Sequence, residues 1–170
     1  EQTYAESAKP VFTQALSDPN QGVRTHAFQH LQTLNTPLAE LASEALAAGY
    51  PDLAVKGLEL LTDGTSKAEG ETVLEREMLA RTDSIAHEAA KLLAARKGRT
   101  YVGEKSLGAA SETLRTQAVS WLDEEYSTNP EAQRALRGAL TSRYRPVRNQ
   151  AAFALGLKKD TTAFDALVDI

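Results

Sequence analysis

The chain has 170 residues, none of them cysteine, and carries 19 basic against 23 acidic side chains, a formal net charge of −4. With 42% hydrophobic residues it can bury a core, which excludes collagen-like and wholly disordered proteins. The lack of cysteine excludes disulfide scaffolds and thiolate metal sites, and no apolar run approaches the roughly 20 residues of a membrane span. Residues 1–4 are polar, unlike a signal peptide, so a cytoplasmic location is only the default expectation.

Helix-forming residues dominate the composition. Alanine occurs 28 times and leucine 22 times. No stretch alternates apolar and polar residues over six or more positions, as a half-buried strand would. The sequence therefore predicts an all-α protein.

The predicted helices come in pairs, and start signals mark the first helix of most pairs. Residues 3–17 form the first of these helices. Thr36, followed by a proline, predicts an N-cap, and residues 66–69, Ser-Lys-Ala-Glu, predict a capping box. Residues 99–110 have the weakest pattern because two glycines interrupt it, and we expect a distorted helix there.

Two further start signals lie near the end of the chain. Asn129 before Pro130 repeats the combination of an N-cap and a proline in the first turn. Asp160 predicts the cap of one more helix, which runs to the last residue. Since that helix is incomplete and has no polar cap, we expect the chain to be a fragment of a longer protein.

The second helix of each pair carries an ungapped nine-residue repeat. Its first position is aliphatic, and the five first positions, spaced 29 to 33 residues apart, are Val23, Leu53, Ile85, Leu114 and Val147. Its fifth position is small, and these residues are Ala27, Gly57, Ala89, Ala118 and Ala151. Its ninth position is leucine, at Leu31, Leu61, Leu93, Leu122 and Leu155. The three positions share one face of a helix and form an apolar stripe that one helix alone cannot bury.

These patterns predict about five helical hairpins that stack and bury their stripes against one another. The approximate repeats are residues 3–33, 36–63, 66–97, 99–126 and 129–158, with the start of a further helix at 160–170. The predicted fold is an α-α superhelix, an α-solenoid in which residues 1–170 form a single domain.

Two segments resemble a known repeat family. Residues 18–31, Asp-Pro-Asn-Gln-Gly-Val-Arg-Thr-His-Ala-Phe-Gln-His-Leu, resemble a HEAT repeat, whose motif runs Asp-Pro, Val-Arg, Ala and Leu. Residues 145–156, Arg-Pro-Val-Arg-Asn-Gln-Ala-Ala-Phe-Ala-Leu-Gly, resemble the short bacterial variety called PBS-lyase-like HEAT repeats. The resemblance covers about residues 3–170 and implies an armadillo-like solenoid with the second helix of each pair on its concave side. It implies no chemistry, because no residue matches a catalytic residue of a chromophore lyase.

The sequence departs from the family motif at two positions. The arginine after the first position occurs only as Arg24, Arg115 and Arg148, and the preceding aspartate only as Asp18. Any ladder of Asp–Arg pairs between repeats, as in the family, is therefore expected to be partial.

His26 and His30 have the i, i+4 spacing of metal ligands on a helix. The residues between them, Ala-Phe-Gln, lack the general base of a metalloprotease motif, and His87 is the only other histidine. We therefore predict structural roles for this pair and no metal site.

Two other features are interpreted as structural. Residues 98–106 come within one residue of a phosphate-binding loop, but the lysine is out of register and no strand is predicted before it. This segment is expected to form a turn between helices. Trp121, the only tryptophan, is expected to pack between repeats rather than to form a stacking platform.

Charge is distributed unevenly along the chain. Residues 1–89 hold 6 basic and 14 acidic side chains, whereas residues 90–160 hold 13 basic and 7 acidic ones. A basic face in the second of these segments would suit a phosphate backbone or an acidic partner, and its central members are Arg134, Arg137, Arg143, Arg145 and Arg148. An ordinary solvated helix surface is the simpler interpretation.

The third, fourth and seventh positions of the repeat point away from the apolar stripe and predict a partner-binding surface. Its members are Thr25, His26, Gln29, Lys56, Glu59, His87, Glu88, Lys91, Thr116, Gln117, Ser120, Asn149, Gln150 and Phe153. They include no convergent cluster of acid, base and nucleophile. The sequence therefore predicts a non-enzymatic scaffold that binds a protein or peptide without a cofactor. The alternative function is nucleic-acid binding through residues 90–160.

Overall fold

A computed structural model describes residues 2–63 and 67–163, with side chains for residues 7–61 and 68–163. All regular structure in these ranges is helical, which confirms the all-α prediction. The α-helices are α1 (Gln2–Ala15), α2 (Gln21–Thr33), α3 (Leu38–Ala47), α4 (Pro51–Asp63), α5 (Lys67–Ala80), α6 (Ser84–Lys97), α7 (Arg99–Ser106), α8 (Glu112–Glu125), α9 (Pro130–Gly138) and α10 (Arg145–Leu157). Two 3₁₀ turns, Ala139–Thr141 and Thr161–Ala163, flank α10. No helix in the described ranges has the length and apolar character needed to cross a bilayer.

The chain divides into two compact units, Glu1–Leu74 and Glu75–Ile170. In the first unit, α2 packs against α1 and α3, and α3 packs closely against α4. Its core consists of Leu16, Ala27, Phe28, Leu31, Leu41, Ala45 and Leu53. The close approach of α3 and α4 depends on Gly57, because a β-carbon there would lie 3.0 Å from the carbonyl oxygen of Ala42.

In the second unit, α8 is the central helix and packs against α7, α9 and α10. The core here includes Val119, Leu122, Ala132, Ala135, Leu136, Ala139, Val147, Ala151, Ala154, Leu155 and Ala163. Buried alanines predominate in this core, so the helices meet over short side chains and leave the wider spaces at the surface.

The apolar stripe predicted from the repeat is buried throughout at two of its three positions, and at the first position Leu53, Leu114 and Val147 are buried and Ile85 is half-buried. All five residues at the fifth position and all five leucines at the ninth are buried. The prediction is wrong for Val23, which remains 41% exposed. Val23 lies in the first turn of α2, and the core against that helix begins only at Ala27, one turn later.

Arginines at the second repeat position are part of the packing. Arg24 is buried and donates to the carbonyl oxygens of Asp18 and Pro19 at 2.9 and 3.0 Å. It also forms an ion pair with Asp52, at 2.8 Å, at the start of the next repeat. Asp52 is not the motif aspartate, because it directly precedes the first repeat position, and Asp18 contacts Arg24 only through its backbone.

The start signals vary in accuracy. The side chain of Asn129 caps α9 by accepting from the backbone N–H of Glu131 at 2.9 Å, as predicted. Thr36 makes no capping bond, so that prediction is wrong: α3 begins at Leu38 and Pro37 occupies the N-cap position. Ser66 and residues 164–170, which belong to the predicted capping box and final helix, lie outside the described residues.

The distorted helix expected over residues 99–110 is also wrong. α7 is a regular helix of eight residues that ends at Ser106. Gly103 does not interrupt it, because this glycine lies where α7 packs directly on Leu122 and Ala118 of α8. Gly103, which the sequence suggested as a helix breaker, is instead a point of close contact between α7 and α8.

Candidate partner-binding grooves

None of the fourteen residues predicted to contact a partner is buried. In the second unit the structure gathers six of them into two grooves, which lie on either side of α8. One groove lies between α6 and α8 and the other between α8 and α10. We call them the α6–α8 groove and the α8–α10 groove.

The α6–α8 groove encloses about 560 Å³. Its lining residues come from α6, α8 and the start of α7, and they are His87, Lys91, Ala94, Ala95, Arg99, Gln117 and Trp121. His87, Lys91 and Gln117 were predicted from the repeat as contact residues. The alanines, which have short side chains, lie on α6, and the indole ring lies on α8.

The structure changes the interpretation of Trp121. It is half-buried, as expected for packing, but its exposed part forms a wall of the α6–α8 groove. A signal for this was present, because the eighth repeat position lies beside the apolar stripe rather than within it. Ala94 and Ala95 were missed because they lie after the nine-residue repeat, and Arg99 was considered only as one of the basic side chains of residues 90–160.

The polar groups of the α6–α8 groove are dominated by hydrogen-bond donors. Lys91 forms an ion pair with Glu88 at 2.7 Å, and Arg99 forms one with Glu124 at 2.9 Å. Neither of these carboxylates lines the groove, and among the described residues no other carboxylate does. Lys91 and Arg99 therefore line the α6–α8 groove, whereas the carboxylates that pair with them lie outside it.

The α8–α10 groove encloses about 270 Å³. It is lined by Val119, Ser120, Asp123, Glu124, Gln150, Phe153, Ala154 and Leu157. Gln150 donates from its amide to the hydroxyl of Ser120 at 3.3 Å, which joins α10 to α8 across the floor. Phe153 and Leu157, one turn apart on α10, are 64% and 71% exposed, respectively. This groove therefore combines an exposed apolar edge with carboxylates.

The other predicted contact residues line neither groove. Thr25, His26, Gln29, Lys56 and Glu59 belong to the first unit, whereas Glu88, Thr116 and Asn149 lie on α6, α8 and α10. These eight residues are solvent-accessible, and the structure assigns them no shared cavity with the grooves.

The histidine pair has packing partners. The ring of His30 stacks on Phe12 with the centroids 4.7 Å apart, and His26 lies 6.4 Å from His30. Within the described ranges, no three metal-ligating side chains of the types His, Cys, Asp or Glu come together. The expected turn over residues 98–106 is wrong, because Lys105 lies in α7, where it forms an ion pair with Glu75 at 3.0 Å.

Some of the arginines of the predicted basic face contact other residues of the chain. Arg137 forms an ion pair with Asp160 at 2.8 Å, and Arg148 donates to the carbonyl of Ser142 at 2.8 Å. Arg134, Arg143 and Arg145 are exposed and form no ion pair with a described residue. None of the five arginines lines either groove.

Carboxylates with displaced pKa values take part in structural contacts. Hydrogen bonds from the hydroxyls of Thr162 and Tyr126 hold the pKa of Asp160 well below its usual value. A hydrogen bond from the phenol of Tyr101 lowers the pKa of Glu75, and a hydrogen bond from Lys105 lowers it further. Both carboxylates are thus stabilised as anions, and neither lines a groove.

No family model matches the sequence, and a search of curated proteins found no significant similarity.

Proposed function

We propose that this chain is a non-catalytic scaffold of HEAT type that binds a protein or peptide through the exposed faces of α6, α8 and α10. The observation that carries the proposal is the α6–α8 groove, in which Trp121 stands opposite short side chains and beside exposed cations. Tryptophan is one of the residues enriched at the energetic hot spots of protein interfaces.

The HEAT-type part of the proposal rests on the order and pairing of the helices. Ten α-helices follow one another in the described residues, and the small fifth residue and the ninth leucine of each nine-residue repeat are buried. Consecutive hairpins built from such helices would form a superhelix with their second helices on one side. That arrangement would make the two grooves parts of one continuous binding surface.

The non-catalytic part rests on the composition of the groove walls. The α6–α8 groove presents two cations, an imidazole and an amide, without an aligned nucleophile and base. The carboxylates of the α8–α10 groove stand beside apolar side chains, and Asp123 forms an ion pair with Lys158 at 2.9 Å. Such walls suit recognition rather than proton transfer.

Intrinsic fluorescence offers a direct test, because Trp121 is the only tryptophan in the chain. We would select binders from an unbiased display library of tryptophan-free peptides and titrate each into the protein. Binding at the α6–α8 groove is expected to shift the Trp121 emission in a saturable way.

Two variants locate the binding. Gln117→Ala changes the groove wall and is expected to weaken binding, whereas Val11→Ala removes an exposed apolar side chain of α1 and should leave it unchanged. Selected peptides that bind without altering Trp121 emission, and with equal affinity for both variants, would sink the groove assignment.

A second candidate function is nucleic-acid binding through Arg134, Arg143 and Arg145, whose exposed guanidinium groups have no acidic partner among the described residues. Phosphate contacts of this kind give affinity that falls steeply with salt. Anisotropy of labelled duplex and single-stranded DNA across a salt series tests it, with the double charge reversal Arg143→Glu and Arg145→Glu as the variant. Absence of binding at low salt would eliminate this candidate.

A further inference from the structure

The chemistry of the α6–α8 groove narrows the class of peptide it can accept. Its charged lining residues are Lys91 and Arg99, and its uncharged polar lining is supplied by His87 and Gln117. A ligand carboxylate entering this groove meets cations and donors, whereas a ligand ammonium group meets like charge. Charge complementarity therefore favours an acidic segment.

The existing ion pairs of the groove are exchangeable. The side chains of Lys91, Glu88, Arg99 and Glu124 are all more than half exposed. Exposed pairs of this kind contribute little free energy. A ligand carboxylate can thus replace Glu88 or Glu124 at small cost. The same exchange is not available at Arg24, whose pair with Asp52 is largely buried.

The remaining wall is apolar. Ala94 and Ala95 leave space on the α6 side, and Trp121 closes the α8 side with its ring. A cavity of about 560 Å³ accommodates an apolar side chain together with the backbone on either side of it. The cations stand at the same groove, so the acidic group and the apolar side chain must be close in the ligand sequence.

From these contacts we infer that the α6–α8 groove selects peptide segments in which an aspartate or glutamate stands next to a large apolar residue. This inference rests on the proposed peptide-binding function and specifies its ligand. Arg134, Arg143 and Arg145, which form no ion pair with a described residue, lie outside the groove and take no part in this selection.

The test uses peptides recovered from the unbiased library with the intact chain. We expect them to be enriched in Asp or Glu beside Leu, Ile, Phe or Met. Each acidic peptide is then compared with its isosteric amide version, Asp replaced by Asn or Glu by Gln, by titration against Trp121 emission. The amide version is expected to bind about tenfold more weakly, as for loss of one charge-assisted hydrogen bond.

Protein variants provide matched controls. Lys91→Ala and Arg99→Ala should each weaken the acidic peptide about two- to fivefold and leave its amide version unchanged. Arg134→Ala removes an equally exposed arginine that lines neither groove, and it should have no effect. Circular dichroism of each variant establishes that the helices remain intact.

The outcomes separate this inference from the function on which it rests. Peptides that shift Trp121 emission but bind equally well as amide versions would overturn the acidic specificity and leave the scaffold proposal standing. A library that yields no groove-dependent peptide would overturn both. Tighter groove binding by a dT20 oligonucleotide than by any selected peptide at the same salt would replace the peptide with a nucleic-acid ligand.

Discussion

The guanidinium carbon of Arg115 lies 3.7 Å from the centre of the Tyr144 ring, and Arg24 lies 3.9 Å from the ring of Tyr50 in the same way. Each arginine occupies the second position of its repeat, and each tyrosine directly precedes the second helix of the following repeat. The two compact units therefore use the same contact between consecutive hairpins, a buried guanidinium stacked on an aromatic ring.

Truncating Arg115 should destabilise the second unit strongly. The buried side chain donates to the carbonyl oxygens of Ala109 and Ala110 at 2.6 and 2.8 Å, and Arg115→Ala would leave both without this donor. We expect a loss of about 2–4 kcal/mol in the free energy of unfolding, measured by urea titration with circular dichroism. Arg115→Lys should recover only part of the loss, because an ammonium group cannot stack on the Tyr144 ring as the planar guanidinium group does.

The matched control for that variant is Arg134→Ala, in which the arginine is exposed and has no ion pair with a described residue. Its unfolding free energy should stay within about 0.5 kcal/mol of the parent. Equal effects of the two substitutions would show that the contact with Tyr144 is incidental.

The pair between Arg24 and Asp52 predicts a dependence of stability on pH. The hydrogen bond from Arg24 holds the pKa of Asp52 below its usual value of 3.8. Because the folded-state pKa is depressed, the stabilisation is fully present above pH 3.8 and is lost as the pH falls through the folded-state pKa. Asp52→Asn should therefore cost about 1–2 kcal/mol at pH 7, and its difference from the parent should shrink below pH 3.8.

Glu40→Gln serves as the comparison for Asp52→Asn, since Glu40 forms an ion pair with Lys9 at 2.8 Å with both side chains exposed. It should change stability by less than about 0.5 kcal/mol at pH 7. Thermal unfolding followed at several pH values between 2 and 7 would reveal both differences. A constant deficit for Asp52→Asn over this range would contradict the assignment.

Two helical glycines should respond in opposite directions to alanine. A β-carbon on Gly103 would lie 3.0 Å from Cγ of the fully buried Leu122, so Gly103→Ala should overpack the contact between α7 and α8. Overpacking is expected to lower the free energy of unfolding by about 1–3 kcal/mol, and the higher helix propensity of alanine offsets roughly 1 kcal/mol of this loss. Gly138 has helical dihedral angles and nothing within 4 Å of a β-carbon, so Gly138→Ala should stabilise by about 0.5–1 kcal/mol. Unfolding midpoints in urea, compared at equal protein concentration, measure both effects, and stabilisation by Gly103→Ala would refute the close approach.

Burial at the repeat positions could be predicted from the sequence, because residues at the fifth and ninth positions necessarily share one helix face. Val23 fits the same pattern but is exposed. Periodicity identifies the apolar face of a helix, but it does not show how much of the helix length a neighbouring helix covers. The interpretation of Gly103 failed for a related reason. Propensity describes a helix in isolation, whereas the close packing on Leu122 is a property of the folded pair.

Only part of the α6–α8 groove was accessible to sequence reasoning. His87 and Gln117 were predicted because they occupy fixed repeat positions on the exposed side of their helices. Ala95 lies near the end of α6 and Arg99 lies at the start of α7, where the nine-residue periodicity does not apply. Trp121 was expected to pack between repeats, and its partial exposure depends on the short alanine side chains opposite it.

Two buried hydroxyls near helix starts give a final contrast. Ser111 is buried and accepts a hydrogen bond from the backbone N–H of Leu114 at 3.2 Å, so it caps α8. Thr36 is also buried, but its hydroxyl finds no hydrogen-bond partner among the described residues. Ser111→Ala should therefore cost about 1 kcal/mol, whereas Thr36→Val, which keeps the shape and removes the hydroxyl, should be neutral or stabilising by up to about 1 kcal/mol.

Urea unfolding of the two variants distinguishes a cap from a hydroxyl that is merely buried. Thr36→Ser supplies the control, because it keeps the hydroxyl and removes the methyl group, and it should destabilise by about 1 kcal/mol through lost apolar contact. If Thr36→Val were as destabilising as Ser111→Ala, the hydroxyl of Thr36 would have to be bonded in the folded protein. The start of α3 would then lie at Thr36–Pro37, as the sequence alone predicts.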